Sequence, residues 1–434
     1  MKTTIKHFLT LVAATLISFP MMATNGYFSH GYGNLSKGTA GAGVALFRSA
    51  LGVATNPASA AFLGKRYDIN VGTFVPVREF TVTGNPSGFP GTFGLAPGTV
   101  ESDNEFFVIP SVGANFPLKN GHTIGVSFYG NGGMNTTYNS PVFGGTDPVG
   151  VDLSQMFLNT TYAKTIGEDH SLGVSAILAY QMFEAQGLEA FGNFGMSSDP
   201  TMLTNNGHDN SLGYGFRVGY MGKLAPWLQV GASYQSKIKM GEFDDYAGLF
   251  AEQGDFDIPS TWTVGLAYMV NDWTFAFDVQ EIYYSNVNSV GNHIAPQALP
   301  PAFPDGSGGF TPNPNQVALG ENAASGFGWD DMIIYKFGTE FSGVESWVFR
   351  GGFSYGTQPI PGTEVMFNIL APGVIQKHAT IGLSKWINDK YAINFAAMHG
   401  FSESVTGTNP FEAPNQQEIE LKMHQWEFEL GFTF

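Results

Sequence analysis

Residues 421–434 read LKMHQWEFELGFTF. The even positions hold Trp426, Phe428, Leu430, Phe432 and Phe434, and the odd ones Glu427, Glu429, Gly431 and Thr433. Successive side chains of an extended chain point to opposite faces, so one face is aromatic and the other polar or small. The same period recurs upstream. Leu212, Tyr214, Phe216, Val218 and Tyr220 alternate with Gly213, Gly215, Arg217 and Gly219, and Trp347, Phe349 and Phe353 alternate with Val348, Arg350, Gly352 and Ser354. A soluble β-sandwich also alternates, but its outer face carries Lys and Glu rather than Gly, Ala, Ser and Thr. Trp262, Trp273, Trp347, Trp386 and Trp426 fall near strand ends, where an interfacial girdle belongs. A strand that closes on Phe434 is the usual mark of an outer-membrane barrel. The expected fold is all-β: a fourteen-stranded antiparallel transmembrane barrel.

Composition supports this expectation. Aromatic residues make up 14% of the chain and charged residues only 13%, about half the globular norm. No stretch after the amino terminus offers about eighteen uninterrupted apolar residues, so helical spans are excluded. Lys2, Lys6 and His7 precede the apolar run Phe8 to Phe19, and a cleavage point follows Ala23. Residues 1–23 are therefore expected to be a secretory signal peptide. Without Lys2 and Lys6 the net charge passes from −17 to −17 − 2 = −19, which argues against nucleic acid. The absence of Cys excludes disulfides.

Connection lengths alternate. Short turns at Leu118–Asn120, Gly167–Asp169 and Lys223–Ala225 separate long stretches at 79–103, 133–154, 184–209 and 240–257. Further long stretches fall at 285–329, 358–374 and 403–420. Short periplasmic turns and long external loops are the rule for such barrels, and both chain ends must lie on the periplasmic side. The barrel is expected over residues 67–434. Asp244, Asp245, Glu252, Asp255 and Asp257 share one external loop and read as a solvated rim.

Residues 24–66 do not alternate, and an exposed tail would be more charged. A fourteen-stranded barrel has a lumen too wide for its own side chains to fill, so this segment is expected inside it as a plug. From Gly26 through Gly33, Ser36, Gly38, Gly41, Ala42 and Gly43 to Asn56-Pro57-Ala58, it resembles the FadL/TodX family of outer-membrane channels for long-chain fatty acids and aromatic hydrocarbons. Members often carry an acid before Asn-Pro-Ala, where this chain has Arg48-Ser49-Ala50. The resemblance implies a hatch in which Asn56, Pro57 and Ala58 take part, capture of substrate at external loops, an internal pocket, and sideways exit through a kinked third strand. Our third strand runs Gly121–Asn131, followed by Gly132-Gly133. Glycines mark bends, so Gly130, Gly132 and Gly133 are the candidates for that kink, the alternative being an ordinary strand end into a loop.

No catalytic constellation is present. The nine His form no close pair suggesting a metal site, and no nucleophile-elbow spacing surrounds a Ser. The run Gly38–Gly43 lacks the Lys-Ser/Thr of a phosphate loop. No cofactor, metal or enzyme activity is expected. Hydrophobic residues on water-facing loops need a reason, because exposed apolar patches usually mark binding sites. Phe183, Leu188, Phe191, Phe194 and Met196 lie in or beside the third external loop, and Phe243, Leu249 and Phe250 in the fourth. These form the expected capture surface. Parity puts Arg217, Lys336 and Arg350 on the lumen side with Asp278 and Glu340; Arg217 and Arg350 are the candidates for holding a substrate carboxylate, against plug-to-wall salt bridging. The expected function is passive uptake of hydrophobic small molecules by a monomer surrounded by outer-membrane lipid and lipopolysaccharide and inserted by the barrel-assembly machinery. The alternatives are a general diffusion porin and a structural or adhesive barrel.

Overall fold

The computed structural model describes residues 25–193 and 195–434. The expected signal peptide and Phe194 lie outside them. Among the described residues, fourteen antiparallel strands form the wall. They are β1 (Arg66–Thr83), β2 (Phe107–Pro117), β3 (His122–Tyr138), β4 (Val149–Ile166), β5 (His170–Gln186), β6 (Asp209–Ala225) and β7 (Leu228–Gln235). Then come β8 (Thr261–Val270), β9 (Trp273–Ile282), β10 (Met332–Val344), β11 (Trp347–Gly356), β12 (Lys377–Trp386), β13 (Ala392–Thr408) and β14 (Glu418–Thr433). Each pairs with its sequence neighbour, and β14 pairs with β1 from Asp68↔Thr433 to Thr83↔Glu418. This pairing closes the sheet into a barrel.

The faces follow the alternation. Trp426, Phe428, Leu430, Phe432 and Phe434 point outward and are exposed, whereas Glu427 and Glu429 are buried in the lumen. Among the described residues no helix is long and apolar enough to cross a membrane. Several strands extend beyond the ladder read from sequence, so four external loops are shorter than expected, while those expected at 240–257, 285–329 and 358–374 are longer. The stretch 133–154 shrinks to 139–148, because β3 continues to Tyr138 and β4 begins at Val149.

Residues 25–65 run inside the barrel. The glycines of the inner face give them seats: a Cβ at Gly231 would run into the Val44 carbonyl, and one at Gly173 into the Pro57 backbone. Polar anchors then fix the segment. Lys37 pairs with Glu427 and, at 2.6 Å, with Glu429. Asp278 accepts the Gly43 and Val44 N–H groups at 2.7 and 2.9 Å, and Asp68 accepts the Ala50 N–H at 2.6 Å. Asn56 donates to the Val44 and Tyr220 carbonyls at 2.7 and 2.9 Å, while its Oδ1 accepts the Ala58 N–H at 3.0 Å and Pro57 opens the turn that follows.

Candidate functional site

The external loops fold together over an apolar cavity of about 550 Å³. Phe183 enters it from the end of β5, Leu188 and Phe191 from the loop after β5, and Leu249 and Phe250 from the loop after β7. The structure thus brings five of the expected capture residues to one place. Phe243 stands behind them, 5.6 Å from Phe183 and 6.3 Å from Phe250 between ring centroids. Met196 packs against the same cluster. Sequence reasoning missed the other half of the lining: Phe143, Phe327, Phe367 and Leu370, from the second, fifth and sixth loops. Those loops have no period to reveal which aromatics turn inward. The loop bearing Leu188 and Phe191 returns to the wall through His208. Its Nε2 and Nδ1 lie 3.1 Å from Asp152 and 3.1 Å from Glu184. The hydrogen bond to Asp152, with the charge of Glu184 beyond it, holds the imidazole above its ordinary range against partial burial.

The floor of this cavity is aromatic. Phe250 meets Phe256 at 4.9 Å, Phe256 meets Tyr27 at 6.1 Å, and Tyr27 packs against Tyr284 and Trp329 at 5.1 and 5.7 Å. Tyr27 and Phe28 therefore belong to the lumen segment yet stand beneath the loops. The hydroxyl of Tyr284 accepts the Tyr27 N–H at 3.2 Å and donates to the Asn25 carbonyl, which fixes this turn.

On the far side of Tyr27 the wall changes. The β2–β3 ladder runs only from Pro117↔Thr123 to Val112↔Phe128. From Tyr129 onward β3 has no β2 partner, and its register with β4 slips between Gly130 and Gly132. Asn131 is the bulged residue. The expected strand end after Asn131 is corrected: the bulge reverses the alternation, and the strand continues beyond it. The lumen segment takes up backbone bonds at this point. Ser29 N–H donates to the Asn131 carbonyl at 2.6 Å, and Gly133 N–H donates to the Tyr27 carbonyl at 3.0 Å. The contact is so close that a Cβ at Gly132 would collide with the Tyr27 carbonyl. Pro110, which has no N–H to offer, stands on the part of β2 that β3 leaves alone. Nearer the outside, the Arg78 guanidinium closes the seam by donating to the Asn104 and Asn135 carbonyls. A cavity of about 300 Å³ lies between these elements, bounded by Gly26, Trp329, Gly133, Met134 and Arg78.

Neither candidate cation reaches the apolar cavity. Arg350 donates to Glu340 at 2.7 Å and to Ser384 at 2.7 Å, and Glu340 also pairs with Arg48 at 3.3 Å. That is plug-to-wall bridging, built with the arginine that stands where the resemblance led us to look for an acid. Arg217 donates to the Ala54 carbonyl and Gln235, and lies 3.3 Å from the Tyr129 hydroxyl. Among the described residues no group of three or more His, Cys, Asp or Glu is arranged to hold a metal ion.

The sequence matches the description "Outer membrane protein transport protein (OMPP1/FadL/TodX)" over residues 25–424. No curated protein matches it. Among solved structures, the toluene transporter TodX of P. putida superposes with a TM-score of 0.66 at 16% identity, covering 93% of this chain and 98% of that one. A Pseudomonas aeruginosa FadL homologue gives 0.66 at 16% identity over 94% and 99%. The Ralstonia pickettii toluene transporter TbuX gives 0.59 at 17% identity over 93% and 98%. A closed barrel around its own amino-terminal segment, with the whole matched length accounted for, leaves one assignment: this chain is an outer-membrane barrel that belongs to the OMPP1/FadL/TodX family of transport proteins.

Proposed function

We propose that the chain is a passive channel for uncharged hydrophobic small molecules, which enter the loop cavity and leave sideways between β2 and β3. One observation carries the reading. Tyr27 and Phe28 separate the apolar loop cavity from the unpaired stretch of wall, and Tyr27 and the adjoining Ser29 are hydrogen-bonded to the bulge of β3. A displacement of this short segment would join the cavity to the seam. Charge decides the cargo class. Among the described residues no charged side chain lines the loop cavity, so a carboxylate would shed its hydration there without compensation. The toluene transporters among the structural neighbours carry such a neutral cargo by name.

The energetics suit passage. Burying about 200 Å² of apolar surface contributes about 5 kcal/mol, a dissociation constant of the order of 0.1–1 mM. That is tight enough to concentrate a solute excluded by lipopolysaccharide and weak enough to release it into the bilayer down its gradient. The barrel would meet lipid along its aromatic face as a monomer, placed there by the barrel-assembly machinery.

The test is uptake of labelled toluene and labelled oleate by a deletion strain carrying either the wild-type gene or Gly132→Val. Wild type is expected to restore toluene uptake, and the variant to lose it as the added side chain forces segment and bulge apart. Open conductance in planar bilayers without saturable uptake would indicate a diffusion porin. Neither conductance nor uptake would indicate a structural barrel. Oleate uptake alone would reject the neutral cargo.

A further inference from the structure

A second cavity, of about 450 Å³, lies against the lumen segment and has the opposite chemistry. Its lining includes Arg217, Lys336, Gln235, His30, Thr261 and Thr263. Arg217 and Lys336 are buried, at 4% and 6% exposure. Arg217 spends its donors on neutral oxygens, and Lys336 donates to the His30 carbonyl at 3.2 Å. Among the described residues no carboxylate lies within 4.0 Å of either cation; the ion pairs of the lumen involve other residues. Asp278 faces Lys336 across the β9–β10 ladder, but its Oδ2 is held by the Gly43 and Val44 N–H groups. Two more polar atoms are left over. Gln235 Nε2 and His30 Nδ1 are buried without a hydrogen-bond partner, on side chains only 1% and 0% exposed.

We propose that this cavity is a binding site for a small inorganic anion, a halide or a phosphate, held between Arg217 and Lys336 with Gln235 Nε2 as a neutral donor. Water would satisfy the dipoles; Asp278 offsets part of the Lys336 charge from across the ladder, but no carboxylate pairs with Arg217, and an anion between the two cations supplies both the countercharge and the acceptor. The hydroxyls of Thr261 and Thr263 and the His30 ring complete a hydrophilic lining in which an apolar solute gains nothing. The bound anion would tie the lumen segment, through His30, to β6, β7 and β10. The site stands apart from the proposed route of hydrophobic cargo and does not depend on it.

The test uses the full-length protein in detergent. Crystals soaked in sodium bromide are expected to show an anomalous peak in the cavity, within contact of Arg217 and Lys336. In parallel, the unfolding temperature is expected to rise by roughly 2–4 °C in bromide relative to gluconate at equal ionic strength. Arg217→Met, Lys336→Met and the milder Gln235→Leu should each reduce that rise. A rise in phosphate alone, with phosphate density in the cavity, assigns the site to the oxyanion. An empty cavity in both soaks, together with an equal salt response in wild type and variants, overturns the proposal. So does dodecanoate that displaces the bromide, since the cavity would then belong to the cargo. The wild-type soaks decide the matter even where a variant does not fold.

Discussion

Two cavities share this lumen, and they are built from different halves of the chemistry. The one beneath the loops is walled by Phe183, Phe191, Phe250, Phe327 and Phe367, with Tyr27 the part of residues 25–65 that packs beneath its floor. The one against residues 25–65 is walled by Arg217, Gln235, Lys336 and hydroxyls. On the proposed reading an apolar solute would partition into the first and be refused by the second, so the polar interior packed around residues 25–65 would bar its descent. The contrast is consistent with the sideways exit proposed above for hydrophobic cargo. It also says what holds each half together: apolar packing above, paired charges and hydrogen bonds below.

The comparison is most severely strained by Lys37→Met. This change leaves Glu427 and Glu429 buried without their cation, and is expected to cost about 3–5 kcal/mol of stability in urea unfolding in detergent. A loss below about 1 kcal/mol would mean that charge pairing does not anchor the lower half. Next comes Phe250→Asp, which places a carboxylate in the apolar cavity. Toluene uptake should fall at least about tenfold, the equivalent of about 1.4 kcal/mol, while the barrel still inserts; unchanged uptake would remove the loop cavity from the route. The smallest effect is sought at His208. Its proton affinity is raised in the folded chain, so its contribution to stability is full below the unfolded pKa near 6.5 and fades as pH rises through the higher folded value. His208→Gln should therefore lower the unfolding temperature relative to wild type at pH 5.5 and by less at pH 8.5. A gap that widened with pH would show that the two carboxylates, rather than the cation between them, fix this loop.

Much of the fold was legible because a period of two leaves no freedom. Trp426 outward forces Glu427 inward, and the same parity puts Arg217, Asp278, Lys336, Glu340 and Arg350 in the lumen. Parity assigns a face but not a partner. It could not tell that Arg350 meets Glu340, or that Arg217 finds only neutral oxygens. The bulge at Asn131 broke the period in β3, and Gly132-Gly133 therefore read as the end of a strand that continues to Tyr138. Phe183 was legible as a candidate because it ends a strand. Phe143, Phe327 and Phe367 were not, since loop aromatics are placed by tertiary packing alone. Leu35, Tyr27 and Phe28 showed only that residues 24–66 were too apolar for a tail. Which of them would stand beneath the loops depends on the Tyr284 hydroxyl, more than two hundred and fifty residues away in sequence.

Pro110 bears on more than its own strand. The stretch Phe107–Ser111 is bonded on one flank to β1 and lacks a β3 neighbour on the other. A bare flank of this kind ordinarily invites any passing extended peptide to add itself, and a ring at its centre spoils the template. In a crowded membrane the proline would thus keep this bare flank, the proposed exit, from being zipped shut by a foreign chain, at the cost of one amide that no neighbour could have used.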